Sequence, residues 1–265
     1  MNVLGFFKEV SFEMLNHKVY LNENTNKWIV LVHGIGGSML TWKKQIEPFS
    51  EKYNLLVLDL PGHGDSQNDT NITIAAVNSK IKEVLDAEGI VKADFVGLSL
   101  GSLVVAHFAI KYPRYVHSIV FGGATLNVEG VYRGLLKMVN VIKGILPHRF
   151  LYKTFAVVLL PNKNHLKSRK IFIRESVKLK RQVFLDWIDY LSEILDPQYL
   201  IEKLKQLNIK MVFISGDEDY CFIDGTRKVC EKLEKFKLLT IEKCGHVCTI
   251  EKYQEFNQLA LSFLQ

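Results

Sequence analysis

The pentapeptide Gly97-Leu98-Ser99-Leu100-Gly101 joins the apolar run Ala93-Asp94-Phe95-Val96 to Leu103-Val104-Val105-Ala106, so a serine sits between small residues where a strand becomes a helix. A turn sharp enough to lift Ser99 out of the backbone brings neighbouring chain very close. Only residues without a large Cβ substituent fit at Gly97 and Gly101. The helix that follows aims its first amides and its positive dipole end at the same point, which favours an oxyanion. A serine so placed requires a base, an acid and a second oxyanion donor from elsewhere in the chain.

The apolar run Lys27–Val32 ends in His33-Gly34-Ile35-Gly36-Gly37, and Leu55–Asp59 ends in Leu60-Pro61-Gly62-His63-Gly64. Both read as buried strands feeding glycine-rich loops. Asp94–Gly97, Ser118–Gly122, Lys210–Gly216 and Lys237–Glu242 repeat the shape, and helical patterns cover Ile72–Glu88, Ser102–Tyr112, Gly225–Phe236 and Glu251–Leu264. Strands alternating with helices predict a mostly parallel twisted sheet covered on both faces. Val10–Leu21 reads as an antiparallel hairpin at the sheet edge. The alternation fails only between Ala124 and about Leu207, so the expected organisation is a core of residues 1–124 and 208–265 with a helical lid at 125–207.

Among the eight histidines, His246 lies in Lys243-Cys244-Gly245-His246-Val247, directly after the last strand and before the last helix. It is the candidate base. His107, His117, His148 and His165 read as packing or surface residues, and His17 belongs to the expected hairpin. Ser215-Gly216-Asp217-Glu218-Asp219 ends the preceding strand and offers three carboxylates. Mutual repulsion keeps all three from converging on one imidazole. Asp219 has loop enough to fold back toward His246, and Asp217 stays as the alternative acid.

With these motifs in the order nucleophile, acid, base, the chain resembles the α/β-hydrolase superfamily, in particular its lid-bearing serine esterase and lipase-like members. The likeness runs from Trp28 to Phe263 and also draws on Asp59-Leu60-Pro61-Gly62-His63-Gly64-Asp65-Ser66. It implies the α/β-hydrolase fold and a catalytic triad of Ser99, Asp219 and His246. It favours Asp219 over Asp217, because the family's acid usually lies three residues beyond the strand-ending glycine. It implies an oxyanion hole built from the backbone amides of Ile35 and Leu100. It also makes His33 and His63 loop-bracing residues. Trp42 reads as core or pocket wall, and Cys221 as a buried thiol near the site.

Composition narrows the function. The 265 residues, 48% hydrophobic and 23% charged, suffice for a full core. Met1–Val10 shows no charged leader or small-residue cleavage site, and no apolar run reaches bilayer length, so the expectation is a cytoplasmic protein without a transmembrane segment. Cys221, Cys230, Cys244 and Cys248 read as free thiols, and their spacing does not suggest zinc. Arg133–Gln182 carries 13 Lys and Arg against the single acid Glu175. That segment is net +12 in a chain of net +6, which leaves a body of net −6. Interleaving with Leu, Val, Ile and Phe makes it an amphipathic helical block with no nucleic-acid motif.

The leading expectation is a carboxylic ester hydrolase working through an acyl-enzyme, without metal or organic cofactor. Within the family, a serine in the elbow argues against haloalkane dehalogenase and epoxide hydrolase chemistry. A lid almost without acids argues against an aminopeptidase. The alternatives are a thioesterase for anionic carriers, a monoacylglycerol lipase touching lipid peripherally, a menaquinone-synthesis-type lyase, and a non-catalytic ligand-binding member.

Overall fold

Strands apolar along their whole length have two faces to bury, and that requirement shapes the molecule. The computed structural model describes residues 14–176, 178–192, 196–232 and 236–265. Its strands are β1 (His17–Tyr20), β2 (Trp28–Val32), β3 (Asn54–Leu58), β4 (Ala93–Leu98), β5 (Val116–Gly122), β6 (Lys210–Gly216) and β7 (Phe236–Ile241). They form one seven-stranded sheet in the order β1-β3-β2-β4-β5-β6-β7. Only β1 is antiparallel, pairing His17 with Leu58 and Tyr20 with Leu55. The order reverses at β2 and β4, so their carboxyl ends open the crevice where open α/β sheets bind ligands.

Helices α1 (Lys43–Ser50), α2 (Ile74–Ala87), α3 (Leu100–Lys111), α4 (Gly130–Ile142), α5 (His148–Leu159) and α6 (Leu166–Ser176) precede α7 (Arg181–Leu191) and α8 (Gln198–Gln206). They are followed by α9 (Ile223–Glu231), α10 (Cys248–Glu251) and α11 (Tyr253–Leu264). The period of two along each strand divides the core. Val30, Val32, Leu56, Phe95 and Phe213 pack toward α2, α3 and α8. Ile29, Leu31, Leu55, Val96 and Ile214 pack on the other side with Phe49 of α1 and Phe256 of α11.

Among the described residues, five helices, α4 to α8, occupy the stretch between β5 and β6. Leu151, Tyr152, Val183 and Trp187 join the same buried cluster as α3, so these helices share the core of the sheet. Within 125–207, α8 is distinct: Leu200 and Leu204 are buried and the helix packs on α3 as a sheet-covering element.

Several expected boundaries shift for local reasons. The single helix read over Glu251–Leu264 divides at Lys252, whose φ of −130° and ψ of 50° leave the helical region. The helix read to Phe236 ends at Glu231. Phe236 instead pairs with Met211 as the first residue of β7, and residues 233–235 lie outside the described residues. The second half of the expected Val10–Leu21 hairpin is the edge strand β1, which pairs with β3. Val10–Glu13 lie outside the described residues.

Candidate active site

Ser99 occupies the junction of β4 and α3 with φ 53° and ψ −120°, a left-handed conformation costly for a residue with a Cβ. The packing below explains how the turn closes so tightly. A Cβ on Gly101 would stand 2.1 Å from the carbonyl oxygen of Val32, and one on Gly97 would stand 2.5 Å from that of Gly101. Both positions therefore exclude side chains. The strained turn is held by several hydrogen bonds. The Ser99 amide donates to the Gly122 carbonyl at 2.9 Å. The Ser99 carbonyl accepts from the Ser102 hydroxyl at 2.5 Å and the Thr125 hydroxyl at 2.9 Å. Ser102 and Thr125 escaped the sequence reading, because nothing in their spacing shows that both hydroxyls return to one carbonyl.

Two chain-distant residues join Ser99 in one hydrogen-bonded series. The loop after β7 carries His246, buried, and the loop after β6 carries Asp219, also buried. His246 Nδ1 lies 2.9 Å from Asp219 Oδ2, and its Nε2 lies 2.8 Å from Ser99 Oγ. A carboxylate only accepts, so Nδ1–H donates to Asp219, and Nε2 of the neutral ring accepts from the serine hydroxyl. Backbone pairing brings the two loops together: the Asp217 amide donates to Ile241 and the Glu218 amide to Cys244. The other two carboxylates go elsewhere. Asp217 Oδ1 accepts from the Cys244 amide at 3.3 Å. Glu218 accepts from Asn164 at 2.7 Å and contacts His165 Nε2 at 2.8 Å.

The loop after β2 runs against the serine, with Ile35 and Ser99 lining one cavity. Its amides are mostly committed: Gly36 N–H donates to His63 Nε2 at 2.9 Å and Gly37 N–H to the Gly34 carbonyl at 3.0 Å. The Ile35 N–H lies between these bonded groups. Leu100 is the first residue of α3, so its N–H has no intrahelical acceptor. His33 spans the same loops, its Nδ1–H donating to the Gly34 carbonyl at 2.8 Å while Nε2 accepts from Leu60 N–H at 3.0 Å. Burial lowers the pKa of both His33 and His63, and for His63 the neighbouring His33 adds to the effect. Both rings thus stay neutral, which their acceptor nitrogens require.

Helices α4 to α7 wall the cavity with Leu136, Phe155, Phe172, Phe184 and Leu191, beside Thr125 and Phe222. Among the described lining residues there is no Lys or Arg. Most basic residues of Arg133–Gln182 are exposed instead. Polar contacts tie these helices to the site loops. Tyr152 Oη donates to the Ile35 carbonyl at 2.8 Å, and Trp187 Nε1 donates to the Pro61 carbonyl at 3.0 Å. The Tyr152 ring occupies the space above Gly36, which has φ +70° and where a Cβ would stand 2.0 Å from the hydroxyl. Behind His246, Glu251 accepts from the amides of Gly245 and Val247, each at 3.3 Å. Buried His165 approaches the same carboxylate at 3.6 Å. The sequence reading placed His165 among packing or surface residues and did not single out Glu251.

The four cysteines are free thiols. Burial pushes the Cys221 thiol up to about 12 and raises those of Cys244 and Cys248 as well. Trp42 is fully buried against the second face of the sheet.

A family model described as alpha/beta hydrolase fold matches residues 27–140. The solved enol-lactonase from Burkholderia xenovorans superposes with a TM-score of 0.77 at 18% identity, over 94% of this chain and 96% of that one. The chain has the α/β-hydrolase fold. Among similar proteins, the 2-hydroxy-6-oxo-6-phenylhexa-2,4-dienoate hydrolase of Comamonas testosteroni is 24% identical over 100% of this chain and 97% of its own length. The dihydrolipoyllysine-residue acetyltransferase component of the acetoin cleaving system of Cupriavidus necator is 34% identical, but over only 34% of this chain. The chain spans about a quarter of that protein's length, with 25% of it covered. No helix among the described residues is long and apolar enough to cross a membrane.

Proposed function

We propose that this α/β-hydrolase cleaves carboxylic esters of apolar acyl groups through an acyl-enzyme on Ser99. The observation that carries the reading is the hydrogen-bonded series Ser99 Oγ, His246, Asp219 opening into an apolar cavity. Ser99 Oγ attacks the ester carbonyl while His246 Nε2 takes its proton, and the carbonyl π pair moves to oxygen. The amides of Ile35 and Leu100 receive that oxyanion; a donor of this kind contributes about 3 kcal/mol to the transition state. Collapse breaks the bond to the alkoxy group, which leaves as the alcohol with the proton from His246. Water then repeats the sequence on the acyl-enzyme and releases the acid. Asp219 keeps the imidazole in the required tautomer and stabilises the imidazolium.

Helices α4 to α7, within the region 125–207, serve as the lid in this reading, excluding water from the acyl group. The cavity wall disfavours substrates whose anion must be held beside the reacting carbon, because its described residues include no Lys or Arg. That weighs against the lyase alternative. A second reading, hydrolysis of a 2-hydroxy-6-oxo-dienoate, is favoured by the full-length likeness to the Comamonas relative and employs the same serine.

The deciding experiment labels the protein with a fluorophosphonate. It then compares p-nitrophenyl acetate and octanoate, an acyl thioester and a 2-hydroxy-6-oxo-dienoate, with Ser99→Ala as blank. Labelling of Ser99 and turnover of the esters are expected. An unlabelled Ser99 would overturn the acyl-enzyme, and faster turnover of the dienoate would replace the ester with the second substrate.

A further inference from the structure

Helix α4 is apolar on two sides. Its inner side brings Leu136 into the cavity beside Ser99, whereas its outer side bears Val131, Met138 and Val141, continued by Ile145 in the turn that follows. These four are 69%, 50%, 79% and 81% exposed, and their spacing of seven, three and four residues puts them on one stripe. None of the α4 residues is fully buried. On α5, Phe150 and Val157 are also exposed, two turns apart. Arg133, Lys137 and Asn140 share the narrow polar face of α4, and a broad exposed apolar stripe beside a basic face signals a nonaqueous neighbour.

Charge identifies that neighbour. Exposed Lys137, Arg149 and Lys153 lie among the apolar residues, inside the segment with 13 basic residues and one acid. A second copy docked face to face would set two such blocks against each other, at an electrostatic cost. A nucleic acid would leave the apolar stripe without a role. A lipid surface with anionic headgroups satisfies both features at once: the stripe enters the acyl boundary and the cationic residues meet the headgroups.

We propose that the outer face of α4 and α5 docks on an anionic lipid surface, and that the bound surface supplies acyl substrate to the cavity beneath the same helix. The second clause rests on the esterase reading; the first does not. One helix would thus contact the lipid with Val141 and the bound acyl group with Leu136.

The test is co-sedimentation of the full chain with vesicles of phosphatidylcholine alone and of an equal mixture of phosphatidylcholine and phosphatidylglycerol. Binding is expected to the mixture and to fall at least ~10-fold in a Val141→Glu/Ile145→Glu variant. The variant should retain the thermal midpoint and the turnover of p-nitrophenyl acetate. Met138→Ser/Val141→Ser gives the same reading should the double glutamate fail to fold. Absence of binding to the anionic vesicles overturns the proposal, as does binding that both variants retain. A dimer that the variants convert to monomer assigns the stripe to a second copy and also overturns it. Vesicle binding is read without turnover, so an inactive protein that binds refutes the esterase and leaves the docking surface standing.

Discussion

Tyr152, on α5, donates its hydroxyl to the carbonyl of Ile35 at 2.8 Å, so a helix of the cavity wall is bonded to the residue whose amide is the proposed oxyanion donor. Burial raises the tyrosine pKa, and the hydroxyl stays a donor across the working pH range. Replacing it with Phe removes one buried hydrogen bond, about 1 kcal/mol, and frees the loop without changing the wall's shape. Tyr152→Phe is expected to lower kcat on p-nitrophenyl esters ~5-fold with KM nearly constant. A rise in KM alone would make Tyr152 only a wall residue.

Asp219 and Asp217 are two residues apart, yet only Asp219 reaches His246. An amide at Asp219 presents a donor to an imidazole N–H or forces the wrong tautomer. Asp219→Asn should lower kcat by ~10³ to 10⁴, whereas Asp217→Asn should stay within ~3-fold of the unaltered protein. Parallel steady-state kinetics decide between them.

Glu251 gathers the amides on both sides of His246 into one carboxylate. Removing that acceptor in Glu251→Ala leaves two amides unanchored and loosens the imidazole's aim. The expected outcome is a ~10-fold fall in kcat with little change in KM. Glu251→Gln, which retains an acceptor oxygen, should restore a large part of the loss. Equal damage by both variants would point instead to the ionic contact with His165.

Buried imidazoles make stability depend on acidity. Burial brings His107 down to about 4 from the usual 6.5, and lowers His33 and His63 too. Between those values the unfolded chain binds more protons than the native one. The histidines' contribution is thus complete above pH 6.5 and declines as pH falls toward 4. Each histidine adds about 1.4 kcal/mol per pH unit within its window. The raised Glu251 carboxyl acts in the opposite direction. Urea unfolding at pH 7 and pH 5 should show a loss at the lower pH that is smaller in His107→Gln. An unchanged difference in that variant would refute the assignment.

The sheet and the meeting of Ser99 with His246 were legible because each rests on local signals: apolar runs ending in glycine loops, and a histidine in the loop after the last strand. The acid was harder, since Asp217, Glu218 and Asp219 share one turn and only the folded path of that turn assigns their partners. The cavity was not legible. Leu136, Tyr152 and Phe172 come from three helices whose mutual packing has no short-range signature, and the basic count of the segment says nothing about which side of each helix its lysines occupy. The charge reads as an amphipathic segment whose basic side could meet anions, lipid or solvent; the helices turn most of it outward. Ser102, Thr125 and Glu251 were missed because their hydrogen bonds go to backbone atoms, for which sequence offers no complementary residue to look for.

Thr125 lines the cavity and also holds the Ser99 carbonyl. Remodelling the pocket at that position therefore disturbs the nucleophile, whereas Phe155 and Leu191 line it from α5 and α7. Substrate range is tied to rate at Thr125 and at Tyr152, and is free of it elsewhere on the helices. A lineage or a designer seeking a new acyl preference would find its tolerated changes at Phe155 and Leu191, away from Thr125 and Tyr152.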